Sequence, residues 1–106
     1  MRKLTMSKRY LRDRNKCQRK GWKIAKLDAI VKIMEERQFT PEECKRWAVH
    51  SLIGRWQGYD ELHVEGIARD WVLIYTKDGN DITLEFTGKH NDYFKGSTEI
   101  SDLTAV

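Results

Sequence analysis

A single proline and seven glycines in 106 residues leave little room for a disordered or low-complexity chain, and four tryptophans within a 40% hydrophobic composition argue for a packed core. Cysteine is scarce: Cys17 and Cys44 are too few and too far apart for a disulfide framework or a zinc ribbon, and they read as reduced and incidental. No apolar run reaches the ~20 residues of a membrane span. The basic N-terminus is followed by no apolar segment of signal-peptide type, so a cytoplasmic protein without a membrane partner is expected. A chain of this length forms one domain with a modest core, assigned to residues 1–95 with a polar tail at 96–106.

Acidic residues are nearly missing from the first quarter. Residues 1–26 hold eleven lysines and arginines against Asp13 alone, whereas the rest of the chain is net negative. Such a face attracts polyphosphate, and the expectation is a nucleic-acid or ribosome-facing surface, with Arg9, Arg12, Lys16 and Arg19 on its first helix. The plainer reading of a charge run, a solvated helix surface, stands beside it.

Local signals order the elements. Leu4 and Met6 suit a short edge strand. Ser7 is placed to cap a helix that runs to about Lys20, and Gly21 to end it. Ile24, Leu27, Val31 and Met34 recur at helical spacing within a second helix over residues 22–37, forming an antiparallel hairpin with the first. Thr40-Pro41-Glu42-Glu43 has the form of a capping box opening a helical turn or two. Strand signals begin at Arg55. Leu62 and Val64 alternate with Tyr59, Glu61, His63 and Glu65; residues 71–76 are a nearly continuous apolar run; Asp78-Gly79-Asn80 marks a hairpin turn. Ile82, Leu84 and Phe86 then alternate with polar residues up to Gly88, and residues 91–95 suit a final helical turn. The fold class is α+β: an N-terminal strand and helical hairpin packed on one face of a mainly antiparallel sheet spanning residues 55–87. Leu27, Val31, Met34, Leu62, Val64, Leu84 and Phe86 are assigned to the core. With Leu62 and Val64 facing the helices, His63 faces the uncovered side.

Histidine is scarce as well, and all three copies fall between His50 and His90. Imidazoles titrate near neutrality, so one can accept a proton while another donates one, and Asp70 adds a carboxylate. RNA suits such a set: its 2′-hydroxyl attacks the adjacent phosphorus once a base takes its proton, an acid protonates the departing 5′-oxygen, and cations stabilise the charge that develops. Arg55, Arg69 and Lys89 supply cations nearby. Trp71, Tyr93 and Phe94 are candidates to stack on bases, although Trp56 and Trp71 suit the core better and Phe94 suits docking of the last turn. A zinc site from three histidines and one aspartate is the lesser reading, because no paired ligand spacing is present.

The pattern His50-x₃-Gly54-x-Trp56-x-Gly58-Tyr59-x₃-His63, Asp70-Trp71-x-Leu73-Ile74-Tyr75 and Thr87-Gly88-x-His90-x₃-Phe94 resembles the YafQ branch of the RelE/ParE superfamily of type II toxins. The resemblance is specific in the second half; the first half agrees in element order. It implies a RelE-like fold and a ribosome-dependent mRNA endonuclease (an mRNA interferase) restrained by a cognate antitoxin. By resemblance the active site is His50, His63, Asp70 and His90, with Trp71 and Phe94 lining or supporting it. RNA cleavage would leave a 2′,3′-cyclic phosphate or its opened 3′-phosphate, with no metal or organic cofactor. Two departures matter. The family usually carries Arg-Asp after the tyrosine, where this chain has Asp60-Glu61, and the connection Glu65-Gly66-Ile67-Ala68-Arg69 is longer than the family turn. The alternatives are a ParE-like gyrase inhibitor, against which the histidine set argues, and a degenerate toxin that only binds antitoxin.

Overall fold

The computed structural model describes residues 2–90. Strand β1 (Lys3–Met6) leads through Ser7 into helix α1 (Lys8–Arg19), followed by α2 (Ile24–Glu36) and α3 (Pro41–Arg46). The strands β2 (His50–Ser51), β3 (Tyr59–His63), β4 (Val72–Asp78) and β5 (Asp81–Gly88) complete one sheet of order β1-β5-β4-β3-β2. All neighbours are antiparallel except β1, which lies parallel to β5 at the edge.

The helix boundaries follow the local chemistry. Ser7 Oγ accepts from the Tyr10 N–H and donates to the Glu85 carbonyl, both at 2.9 Å, so one side chain caps α1 and ties its start to β5. Gly21 takes φ 84° after α1, and the Gly21 and Trp22 N–H groups return to the carbonyls of Gln18 and Cys17. Thr40 and Glu43 form the reciprocal capping box, and Arg37 closes on the Glu43 carboxylate through two bonds of 2.8 and 2.9 Å.

The main core lies between the helical pair and the sheet. Tyr10 and Cys17 of α1 and Leu27, Ile30, Val31 and Met34 of α2 pack against Leu62, Val64, Leu73, Tyr75, Ile82 and Leu84. Each fully buried aliphatic side chain here contributes roughly 1.5–3 kcal/mol. Leu62 is fully buried against the helices, as β3 alternation predicts.

Three expectations need correction. Phe86 does not join Leu84 in that core. A bulge opposite Ile74 and Tyr75 leaves Glu85 unpaired, so Leu84 aligns with Tyr75 and Phe86 with Ile74. The extra residue reverses the alternation. Phe86 therefore packs on the other face with Trp56 and Tyr59, against Leu52, Val72 and Ile74. That second cluster also means the far face is not bare: the segment between β2 and β3 covers part of it. Finally, Arg55 does not begin a strand; Gly54–Trp56 is a 3₁₀ turn, and the sheet instead recruits His50 and Ser51. The expected turn at residues 91–95 and the tail at 96–106 lie outside the described residues.

Candidate active site

Three strand segments bring the histidines together. β2 pairs with β3 so that His50 lies opposite Glu61, and Glu61 shares a face of β3 with His63, two residues on. β5 ends at Gly88, whose φ of 154° suits glycine, and His90 follows. Their imidazoles converge on one carboxylate. Glu61 Oε2 lies 2.6 Å from His90 Nε2, while Oε1 lies 3.1 Å from His50 Nε2 and 3.4 Å from His63 Nε2. The His50 and His63 rings stack at 5.9 Å, and His63 meets His90 edge-on at the same separation.

The electrostatics follow from burial. Glu61 is 1% exposed. Burial pushes its carboxyl pKa up, but hydrogen bonds from His50, His63 and His90 outweigh that and hold it well below the usual carboxylate range. In return the Glu61 hydrogen bond raises the pKa of His50 and of His90, against the opposing effect of partial burial. His50 Nδ1 also bonds the Ala48 carbonyl at 2.8 Å, and Ala48 is held at φ 47°, an uncommon conformation for a residue with a Cβ. His63 Nδ1 is buried without a hydrogen-bond partner among the described residues. His50, Glu61 and His63 each offer a donor atom within 4.8 Å of the others, a spacing that a divalent cation can bridge once the imidazoles release their shared protons.

Asp70 does not enter this cluster through its side chain. Its Oδ1 accepts the His90 backbone N–H at 3.0 Å, so it fastens the segment that carries His90. Arg69 and Lys89 flank Asp70 in a neighbouring cleft of about 400 Å³, whose walls include Trp22, Lys23 and Lys26. Lys26 bonds Glu65 at 2.7 Å, tying the longer connection back to α2, while Ile67 at its tip is 81% exposed. Arg55 is exposed on the 3₁₀ turn.

Other site expectations fare differently. Trp71 is 3% exposed and packs on Trp22 at 5.1 Å, and its Nε1–H donates to Thr87 Oγ1 at 3.0 Å. It supports the site from beneath and offers no open face for a base. Phe94 lies outside the described residues. Arg12, Lys16 and Arg19 are exposed on α1, but Arg9 folds over the Phe86 ring at 4.4 Å and approaches Asp13 at 3.8 Å. Asp60 accepts from Ser51 Oγ at 2.9 Å and sits 3.5 Å from Lys77, so its charge is partnered at the sheet edge. The residue that sequence reasoning missed is Glu61. Its alternation with His63 put both on one face, yet it registered only as part of a departure from the family's Arg-Asp pair.

The family of bacterial toxins of type II toxin–antitoxin systems named YafQ is matched over residues 2–95. The chain belongs to the YafQ family. Within a 45-residue stretch it is 42% identical to the mRNA interferase toxin YafQ of Escherichia coli, covering 42% of this chain and 46% of that protein. The chain thus matches about half the length of that curated relative. The crystal structure of Escherichia coli YafQ superposes with a TM-score of 0.78 at 26% identity, covering 89% of this chain and 99% of the other. The Escherichia coli DinJ–YafQ toxin–antitoxin complex matches with a TM-score of 0.74 at 29% identity, over 88% and 97% of the two chains. The RelE-like α+β fold expected from the YafQ resemblance is thereby borne out.

Proposed function

We propose that this YafQ-family chain is the toxin of a type II pair that cleaves messenger RNA on the ribosome. The observation that carries the reading is the convergence of His50, His63 and His90 on the buried Glu61 carboxylate. In this mechanism the 2′-oxygen of the substrate attacks phosphorus as its proton passes to a base of the site, His63 or Asp70. The bond from phosphorus to the 5′-oxygen breaks, and His90 protonates that oxygen. The hydrogen bond to Glu61 raises the proton affinity of His90, which favours the imidazolium form a general acid needs. His50, whose proton affinity the same carboxylate raises, is the group proposed to offset the negative charge that builds on the phosphate. Asp70 holds the His90 segment in place. The products are a 2′,3′-cyclic phosphate and a free 5′-hydroxyl.

The cleft beside Asp70, with Lys23, Lys26, Arg69 and Lys89, supports a path for the RNA backbone next to the reacting phosphate. Arg55 supplies a further cation on the 3₁₀ turn. The exposed cations of α1 suit ribosomal RNA or an acidic antitoxin segment, and a cognate antitoxin is proposed by analogy with the DinJ–YafQ complex. No helix among the described residues is long and apolar enough to cross a membrane, and the proposed place of action is the cytoplasm, where ribosomes are.

Primer extension on mRNA after induction tests the reading. The parent protein cuts ribosome-bound message, and His90→Gln, which can hydrogen-bond but cannot deliver an imidazolium proton, slows cleavage by about 10²–10⁴ while still binding antitoxin. Growth arrest with intact mRNA and collapsed DNA supercoiling would replace the nuclease with gyrase inhibition. Antitoxin binding without either effect would mark a degenerate toxin.

A further inference from the structure

We propose that the basic cleft beside Asp70 is a nucleotide subsite: it takes the RNA residue on the 3′ side of the cleaved bond, with the base on Trp22 and the phosphate on Lys23 and Arg69. The proposal deepens the nuclease reading, on which the class of ligand and the side of the bond both rest.

The cleft is walled by the start of α2 and by the long connection from β3 to β4, and its volume is about 400 Å³. Small-ligand sites measure roughly 300–1,000 Å³. Lys23, Lys26, Arg69 and Lys89 line it against Glu65 and Asp70. Both acids are engaged: Glu65 holds Lys26 at 2.7 Å, and Asp70 Oδ1 accepts the His90 N–H at 3.0 Å. Lys23 and Arg69 are exposed, and neither side chain has a hydrogen-bonded or ion-paired partner among the described residues. The Lys26 hydrogen bond, followed by the charges of Lys26, Arg69 and Lys23, lowers the Glu65 pKa against partial burial, so these cations act at one place. A phosphate entering there meets two cations that give up no partner to receive it.

One wall of the cleft is aromatic. Trp71 is buried and engaged with Thr87 and Trp22, whereas Trp22 is only partly buried and lines the cleft itself. Lys20 Nζ stands 5.6 Å from the Trp22 ring, on an exposed and flexible stem that yields to a base. Cations beside an accessible indole suit single-stranded RNA, which offers a phosphate to one and a base to the other. An acidic peptide would use the cations and leave the ring idle. The cleft adjoins the catalytic group at His90, since Lys89 precedes that residue and Asp70 holds its backbone. In the proposed mechanism His90 protonates the departing 5′-oxygen, which belongs to the nucleotide 3′ of the cut. Arg69 stands on the connection that is longer than the family turn, so part of this subsite lies where the chain departs from the family pattern.

The test is cleavage on programmed ribosomes, with messages carrying one abasic nucleotide just 3′ or just 5′ of the bond that primer extension maps. The parent should lose roughly tenfold in kcat/KM on the 3′ abasic message and less on the 5′ one. Trp22→Leu keeps apolar packing on Trp71 without a π-face. It should lose about as much on the intact message and nothing further on the 3′ abasic one. Trp22→Phe should keep most of the activity. Lys23→Ala with Arg69→Ala should lower kcat/KM and flatten its salt dependence, with antitoxin binding and the urea midpoint retained. If Trp22→Leu fails to fold, the abasic messages on the parent and the Lys23 and Arg69 pair decide. A parent that cleaves but ignores the 3′ base, or a folded Trp22→Leu protein that still responds to its loss, would overturn the subsite alone. So would variants that lose antitoxin affinity yet cleave at the parent rate, which would assign the cleft to an acidic antitoxin segment. A parent that cleaves no message would sink the nuclease reading and the subsite with it.

Discussion

At the scale of single residues, the site depends on two residues that hold others in place. Glu61 draws the imidazoles together from below, and Ala48, at φ 47°, presents its carbonyl to His50 Nδ1. An alanine in this left-handed region costs roughly 1–2 kcal/mol, of which the greater freedom of unfolded glycine would return about 0.4–1. Ala48→Gly should therefore stabilise the fold by about 0.5 kcal/mol, read as a higher urea midpoint at constant slope. A lower midpoint would mean that the alanine methyl is packed and its conformation unstrained. Trp71 shows the opposite kind of dependence. Its indole is locked between Trp22 and Thr87, so substitution there should be read first as loss of packing and of the hydrogen bond.

At the scale of elements, α3 is short and leans on its cap. Thr40, Glu43 and Arg37 form one closed group, and the Arg37 hydrogen bond, followed by that of the Thr40 backbone, lowers the Glu43 pKa from 4.5 to about 2. A carboxyl whose folded pKa is depressed contributes its stability above the unfolded value and loses it as pH falls through the folded one. Glu43 should thus support the fold above 4.5, and that support should fade between 4.5 and about 2. Urea titrations of the parent and Glu43→Gln check this: their midpoints should differ at neutral pH and converge in acid. Thr40→Ala should cost about 1 kcal/mol at neutral pH, and no loss would show that Arg37 alone holds the turn. The bulge in β5 is an element-scale device as well. By reversing alternation after Leu84 it gives Phe86 to the far face, where the ring closes the cluster with Trp56 and Tyr59.

At the scale of the whole molecule, the sheet separates two chemistries. One face is sealed by α1 and α2, and their outward side carries the exposed cations Arg12, Lys16 and Arg19. The other face carries the histidines, brought together from β2, β3 and the residues just past β5. Replacing Arg12, Lys16 and Arg19 together with alanine should leave stability within about 0.5 kcal/mol, since exposed substitutions rarely cost more. It should also weaken ribosome association and flatten its dependence on salt, by up to about 0.9 in slope for each phosphate no longer neutralised. Sedimentation with ribosomes across a salt series measures both. An unchanged slope would reduce this helix face to a solvated surface.

Short-range chemistry was legible in the chain itself. Ser7, Gly21 and the Thr40–Glu43 box act over four residues or fewer, and each ends or opens a helix where its residue type requires. The alternation of Leu62 and Val64 with Glu61 and His63 likewise set which side of β3 meets the helices, because side chains on a strand repeat every second residue. What depended on pairing between distant segments was not legible. A two-residue β2 has no periodicity to read, and the bulge at Glu85 exists only in register with β4. Arg9 looked like its neighbours on α1 until Phe86 crossed beneath it. Glu61 is the sharpest case. In the linear chain it is one of sixteen acidic residues. Removal from water, with three imidazoles arriving from two other segments and from its own strand, turns it into the centre of the site, because the strength of a charge's interactions depends on what surrounds it in space.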